Sequence, residues 1–183
     1  MPNWVTTIVN FEGKQEDIDT IFNLIKGEYE DGEDRPIDFE KIIPMPDYIY
    51  TGNLGMAERE KYGKNNWYDW SIENWGTKWN ACSPNRYGNS LEFNTAWGFA
   101  EPIMSKLAEL CGKHNVTFSG CFCDEDYCSS NKGTFNSFDD GGFGYEYNDE
   151  DIYDESVREI LVNCYGEDFY DEALSWLEEN EDD

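Results

Sequence analysis

A chain of 183 residues fits one domain, and its 39% hydrophobic and 16% aromatic content supplies enough apolar surface for a core, which excludes disorder throughout. Forty acidic side chains against 13 basic ones give a net charge of -27, which argues against direct DNA binding and against anionic membrane surfaces. The imbalance is uneven: residues 124 to 183 hold 21 acids and two bases, Lys132 and Arg158, whereas the first 123 residues hold 19 acids and 11 bases.

Trp4 to Phe11 sets Val5, Val9 and Phe11 against Trp4, Thr6 and Ile8, an alternation that predicts a strand. Ile18, Ile21, Phe22, Ile25 and Tyr29 recur at helical spacing behind Glu16, Asp17 and Asp19, so a helix is predicted from Glu16 to Tyr29. After a loop through Gly32 and Pro36, Ile37 to Ile43 reads as a second strand closed by Pro44-Met45-Pro46. Residues 47–88 are the least regular part, with Gly52, Gly55, Gly63 and Gly76 interrupting any long element among Trp67, Trp70, Trp75 and Trp79, so short helical turns and loops are expected there. Alternation resumes from Ser90 to Ala96 as a third strand. Pro102 then opens a helix whose stripe of Ile103, Met104, Leu107, Ala108 and Cys111 stops at Gly112, a residue suited to a C-terminal cap.

Val116 to Cys123 is a fourth strand, and Gly133–Phe138 with Phe143–Tyr147, joined through Asp139-Asp140-Gly141-Gly142, forms a hairpin. Two acidic helices follow. The first, from Asp149 to Cys164, turns Tyr153, Val157, Ile160, Leu161 and Cys164 inward; the second, from Asp168 to Glu179, turns Phe169, Tyr170, Ala173, Leu174 and Leu177 inward. The last residues, Glu178 to Asp183, are expected to fray. This order predicts an α+β fold, a ferredoxin-like βαββαβ sandwich extended by a β-hairpin and two C-terminal acidic helices. One domain spans 1–183, with a core over 1–147, the Trp-rich insertion at 47–88 and a helical extension at 148–183.

Four blocks stand in order along the chain: Met1-Pro2-Asn3-Trp4, Ile42-Ile43-Pro44-Met45-Pro46, Glu73-Asn74-Trp75-Gly76-Thr77-Lys78-Trp79-Asn80-Ala81 and Phe93-Asn94-Thr95-Ala96-Trp97. Together they resemble the YubB-like ferredoxin-like family of plasmids, phages and related mobile elements, over roughly the first 145 residues. The resemblance implies the ferredoxin-like fold and a mobile-element setting, and it implies no enzyme activity. The tail of two helices and the strong acidity depart from the family pattern. By analogy of setting and charge, the expected class is the small acidic inhibitor of a host nuclease, of the anti-CRISPR or anti-restriction type. An N-terminus without the basic and apolar regions of an export signal points to the cytoplasm of a bacterial host, where the six cysteines are expected to be free thiols.

Charge of this sign selects a basic nucleic-acid-binding protein as partner, a CRISPR effector with guide RNA such as Cas9 being the example to test. The carboxylates assigned to that contact are Asp139 and Asp140 in the hairpin turn, Asp149, Glu150, Asp151, Asp154, Glu155 and Glu159 in the first acidic helix, and Asp171 and Glu172 in the second. Asp151, Asp154, Glu155 and Glu159 fall at three- and four-residue spacings, and carboxylates so placed on a helix lie about 5 to 6 Å from one another, a scale similar to phosphate spacing along a nucleic-acid strand. Such a row also reads as a solvated face that keeps the chain soluble.

Trp75, Lys78 and Trp79 admit two readings, a corner of the core or a site where a nucleobase stacks beside a cation. Cys121, Cys123 and Cys128 with His114 are zinc-ligand types, but their spacing lacks the paired knuckles of a structural zinc site, and no metal is expected there. Asp124, Glu125 and Asp126 are the candidate Mg²⁺ ligands of an alternative function, a metal-dependent ribonuclease that cleaves an effector's guide RNA. A lone histidine and no nucleophile elbow argue against serine-hydrolase chemistry. The remaining alternative is an acidic accessory protein that binds a basic peptide or protein. No cofactor is expected outside the ribonuclease reading.

Overall fold

Alternating burial along Trp4–Glu12 (β1) makes this strand the axis of the fold: Val5, Thr7 and Val9 are fully buried on one side. The structure, a computed structural model, describes residues 3–180. Next comes the helix Gln15–Ile25 (α1), which buries Ile18, Ile21, Phe22 and Ile25. It stops four residues earlier than its apolar pattern predicts, because the chain turns extended at Lys26. Gly27–Glu28 (β2) then pairs with Asp34–Arg35 (β3) in a small ribbon. Gly27 is required there, since a Cβ would run into the Asp38 carboxylate.

The strand predicted from Ile37 to Ile43 is instead a short helix, Phe39–Ile42 (α2). Asp38 decides the matter locally: its side chain accepts the Glu40 N–H at 3.0 Å and caps a turn that buries Phe39 and Ile42 three residues apart. Two further short helices, Met56–Tyr62 (α3) and Trp67–Trp75 (α4), lie in the segment where short helical turns and loops are expected. Asn66 caps α4 by accepting from Tyr68 and Asp69 N–H groups, and Gly76 ends it at φ 77, where a Cβ would meet Pro102 and the Phe99 carbonyl.

That segment also holds a strand of the main sheet, Cys82–Tyr87 (β4), paired with Ser90–Ala96 (β5). β4 lacks apolar alternation because it is an edge strand with Pro84 inside it and a bulge between Cys82 and Asn85. The helix Glu101–Gly112 (α5) follows, then the strands Thr117–Asp124 (β6), Lys132–Ser137 (β7) and Phe143–Tyr147 (β8). Gly112 is the last residue of α5 rather than a left-handed cap; its role is close approach, since a Cβ would lie 2.6 Å from Gly141 in the β7–β8 turn. Positive φ falls instead on Asn115, at 54°.

The chain ends in Glu155–Tyr165 (α6) and Glu167–Asn180 (α7). Residues 181–183, within the stretch expected to fray, lie outside the described residues. Six strands form one antiparallel sheet in the order β4-β5-β1-β6-β7-β8, so the molecule is mixed α+β with helices on both sheet faces. On one face Val5, Val9, Phe11, Leu91, Phe93, Phe118, Phe122 and Phe135 join α1, α2, α4 and α5 in a single aromatic-rich core. On the other, Cys121 and Cys123 sit under Val157, Ile160 and Leu161 of α6, which α7 braces through Tyr170 and Ala173. Among the described residues no helix is long and apolar enough to cross a membrane.

Candidate acidic binding groove

Residues 149–154, the first part of the helix predicted from Asp149, are not helical, and their sequence explains why. Asn148, Asp151 and Asp154 each accept the backbone N–H two residues on, from Glu150 at 3.0 Å, Tyr153 at 2.9 Å and Ser156 at 2.9 Å. Side chains of this kind compete with the helix for backbone donors, so helix begins only at Glu155, with Asp154 as its N-cap. The expected helical row of Asp151, Asp154, Glu155 and Glu159 therefore reduces to Glu155 and Glu159, one turn apart on α6. The Ser156 hydroxyl and N–H hold the Asp154 carboxyl below its ordinary value.

The loop and α6 form one wall of a groove of about 830 Å³ laid against strands β1, β6, β7 and β8. Glu146 on β8, Asp149 and Glu150 in the loop, and Glu159 on α6 line it, with Asn10, Ser119, Thr134 and Asn163 among the polar neighbours and no lysine or arginine. Glu146 escaped the sequence reading, although strand alternation places it opposite Tyr145 and Tyr147 and across from Thr134. Asp149, Glu150 and Asp151 also line a second, adjoining hollow of about 380 Å³.

Compensating charge is scarce on this side. Of the two bases after residue 123, Lys132 is 4% exposed and donates to the Ser129 carbonyl, while Arg158 bridges Glu155 at 3.5 Å and Glu167 and lies over the Tyr170 ring. Ion pairs among the described residues engage five carboxylates in all, Asp19, Asp69, Glu109, Glu155 and Glu167. Glu155 is thus the one member of the assigned set held in an ion pair.

The remaining assigned residues disperse. Asp139 and Asp140 are exposed in the β7–β8 turn, where Asp140 accepts the Gly142 N–H at 2.9 Å beside α5, on the other side of the sheet from α6. Asp171 and Glu172 are exposed on α7, Glu172 beside Phe169 and Trp176.

Trp75 belongs to the core, 4% exposed with its Nε1–H on the Ile43 carbonyl at 2.9 Å. Lys78 is separate from it, its Nζ 4.2 Å from the Trp79 ring and 4.9 Å from that of Trp97, which the sequence reading had not included. Asp124, Glu125 and Asp126 turn to backbone donors: Asp124 accepts the Asp126 N–H, Glu125 the Trp4 N–H and Asp126 the Cys128 N–H. Among the described residues no three His, Cys, Asp or Glu side chains gather as a metal site, and Cys128 is exposed while Cys121 and Cys123 are buried. Comparison of the chain with protein-family models, with curated proteins and with solved structures finds no match.

Proposed function

We propose that this chain is a counter-defence inhibitor from a mobile element, whose acidic groove and flanking helices occupy the basic nucleic-acid channel of a host nuclease, a CRISPR effector such as Cas9 being the first to test. One observation carries the reading: Glu146, Asp149, Glu150 and Glu159 converge on a groove with no base in its lining, while the two bases of the terminal region are already buried or paired. Carboxylates left uncompensated in this way repel one another, and a partner rich in Arg and Lys relieves that repulsion on docking. An RNA-guided effector offers such a channel, because it holds its heteroduplex through positive charge along the backbone.

The YubB-like resemblance is part of the same reading and supplies the mobile-element setting. A ferredoxin-like core is supported by the strand order β4-β5-β1-β6 together with α1 and α5 on one face of the sheet. The groove works by shape and charge, without a reaction. Competition of the protein with guide RNA for a purified Cas9-type effector tests the proposal. Displacement of guide or target, weakening as salt rises, is the expected result; binding that ignores both salt and guide RNA overturns it.

A further inference from the structure

Strand β6 and helix α6 bring two thiols face to face. Cys121 projects from the sheet beneath the last turn of α6, and its Sγ lies 3.7 Å from the Sγ of Cys164. Neighbouring contacts fix that approach: Tyr165 Oη donates to the Cys123 carbonyl at 2.7 Å, and Cys164 Sγ lies 3.9 Å from the Thr6 carbonyl oxygen. Although Cys121 is only 5% exposed, it lines the acidic groove, so a solute of a few atoms reaches it from there. Burial pushes the Cys111 and Cys123 thiols up to about 12, which leaves them as thiols at neutral pH.

We propose that Cys121 and Cys164 form a redox modification site, a dithiol that hydrogen peroxide converts to an intramolecular disulfide. In the first step the Cys121 thiolate attacks one peroxide oxygen. An S–O bond forms, the O–O bond breaks, and its electron pair leaves with the other oxygen, which takes up a proton and departs as water. The sulfur of Cys164 then attacks the Cys121 sulfenic acid: the S–S bond forms, the S–O bond breaks, and hydroxide leaves with the Cys164 proton as a second water. Two thiols thus give two electrons to one peroxide.

Cys121, which lines the groove, is the sulfur assigned to the attack; with Cys121 as the thiolate the S–H of Cys164 donates to it and lowers its pKa, while the same contact and burial raise that of Cys164. A disulfide requires a separation of about 2.05 Å, so rotation about the two side-chain torsions with a small shift of the last helical turn closes the gap. The chemistry needs only the two sulfurs and their access through the groove, and it holds whether or not the acidic face docks on a nuclease.

The experiment is peroxide treatment of the reduced protein, followed by intact mass and peptide mapping without reductant. A loss of about 2 Da that dithiothreitol reverses is expected, carried by a peptide pair joining Cys121 to Cys164. In a Cys164→Ser variant the sulfenic acid on Cys121 has no resolving thiol and is trapped by dimedone. The proposal is overturned if the mass is unchanged and Cys121 stays unlabelled. It is equally overturned if the disulfide joins Cys121 to Cys123 or links two chains through the exposed Cys128. Mapping of the unsubstituted protein decides the question even where the variant fails to fold.

Discussion

On the side of the sheet that faces α1 and α5, Val5, Val9, Phe11, Phe118 and Phe122 are closed under helices, whereas the opposite side carries Asn10, Ser119 and Thr134 and is roofed only along its middle by α6. The first face concentrates apolar burial, the main favourable term in folding. The second keeps a smaller cluster under α6 and α7 and gives its margins to polar side chains and unpaired carboxylates. A domain that secures its stability on one face tolerates like-charge repulsion on the other, and that division lets so acidic a chain fold.

Substitutions on the two faces separate these roles. The largest effect is expected for Phe122→Ala, which empties a fully buried position stacked on Phe99 at 4.1 Å: a loss of about 3–5 kcal/mol, read as a lower midpoint in urea. Leu161→Ala, fully buried in the second cluster, is expected to cost about 2–4 kcal/mol. Hydrogen exchange refines that contrast, with amides of α6 and α7 losing protection first while those of β1 stay protected. Equal loss of protection on both faces breaks the division.

Smaller effects probe the acidic wall. Asp154→Ala removes the α6 cap and is expected to lower the urea midpoint at neutral pH, by less than either core truncation. Its folded carboxyl titrates below the ordinary value of 3.8, so the difference from the parent protein persists above that pH and disappears as pH falls through the lower folded value. Urea melts at pH 7 and at pH 3 check the sign. Glu146→Lys and Glu159→Lys, both at exposed groove positions, are expected to change stability by no more than about 0.5 kcal/mol. A strongly stabilising reversal there places more repulsion in the groove than its geometry suggests.

How far the sequence alone reaches follows the same two faces. Strands β1, β5, β6 and the β7–β8 hairpin were legible because apolar residues recur at every second position toward α1 and α5, as with Phe118 and Phe122 of β6, Leu91 and Phe93 of β5, and Val9 and Phe11 of β1, even though Cys121 and Cys123 are buried on the opposite face of β6. β4 was hidden: an edge strand with a proline and a bulge is not required to alternate. Ile37 to Ile43 misled because its apolar residues satisfy either period, and only the Asp38 cap selects the helix. For the site, composition exposed the acidic region but misplaced its geometry. Asn148, Asp151 and Asp154 break the expected helix, and Glu146 comes to the groove through strand pairing that no local pattern records.

The central claim is that uncompensated charge in the groove makes the contact. Its most direct test is the affinity of the parent protein and of the Glu146→Lys, Asp149→Lys, Glu159→Lys triple variant for a Cas9-type effector across a range of salt concentrations. The account predicts tight binding at low salt that weakens steeply as salt rises, and loss of binding in a variant that folds as well as the parent. Undiminished binding by the folded triple variant, with no salt dependence in either protein, contradicts it.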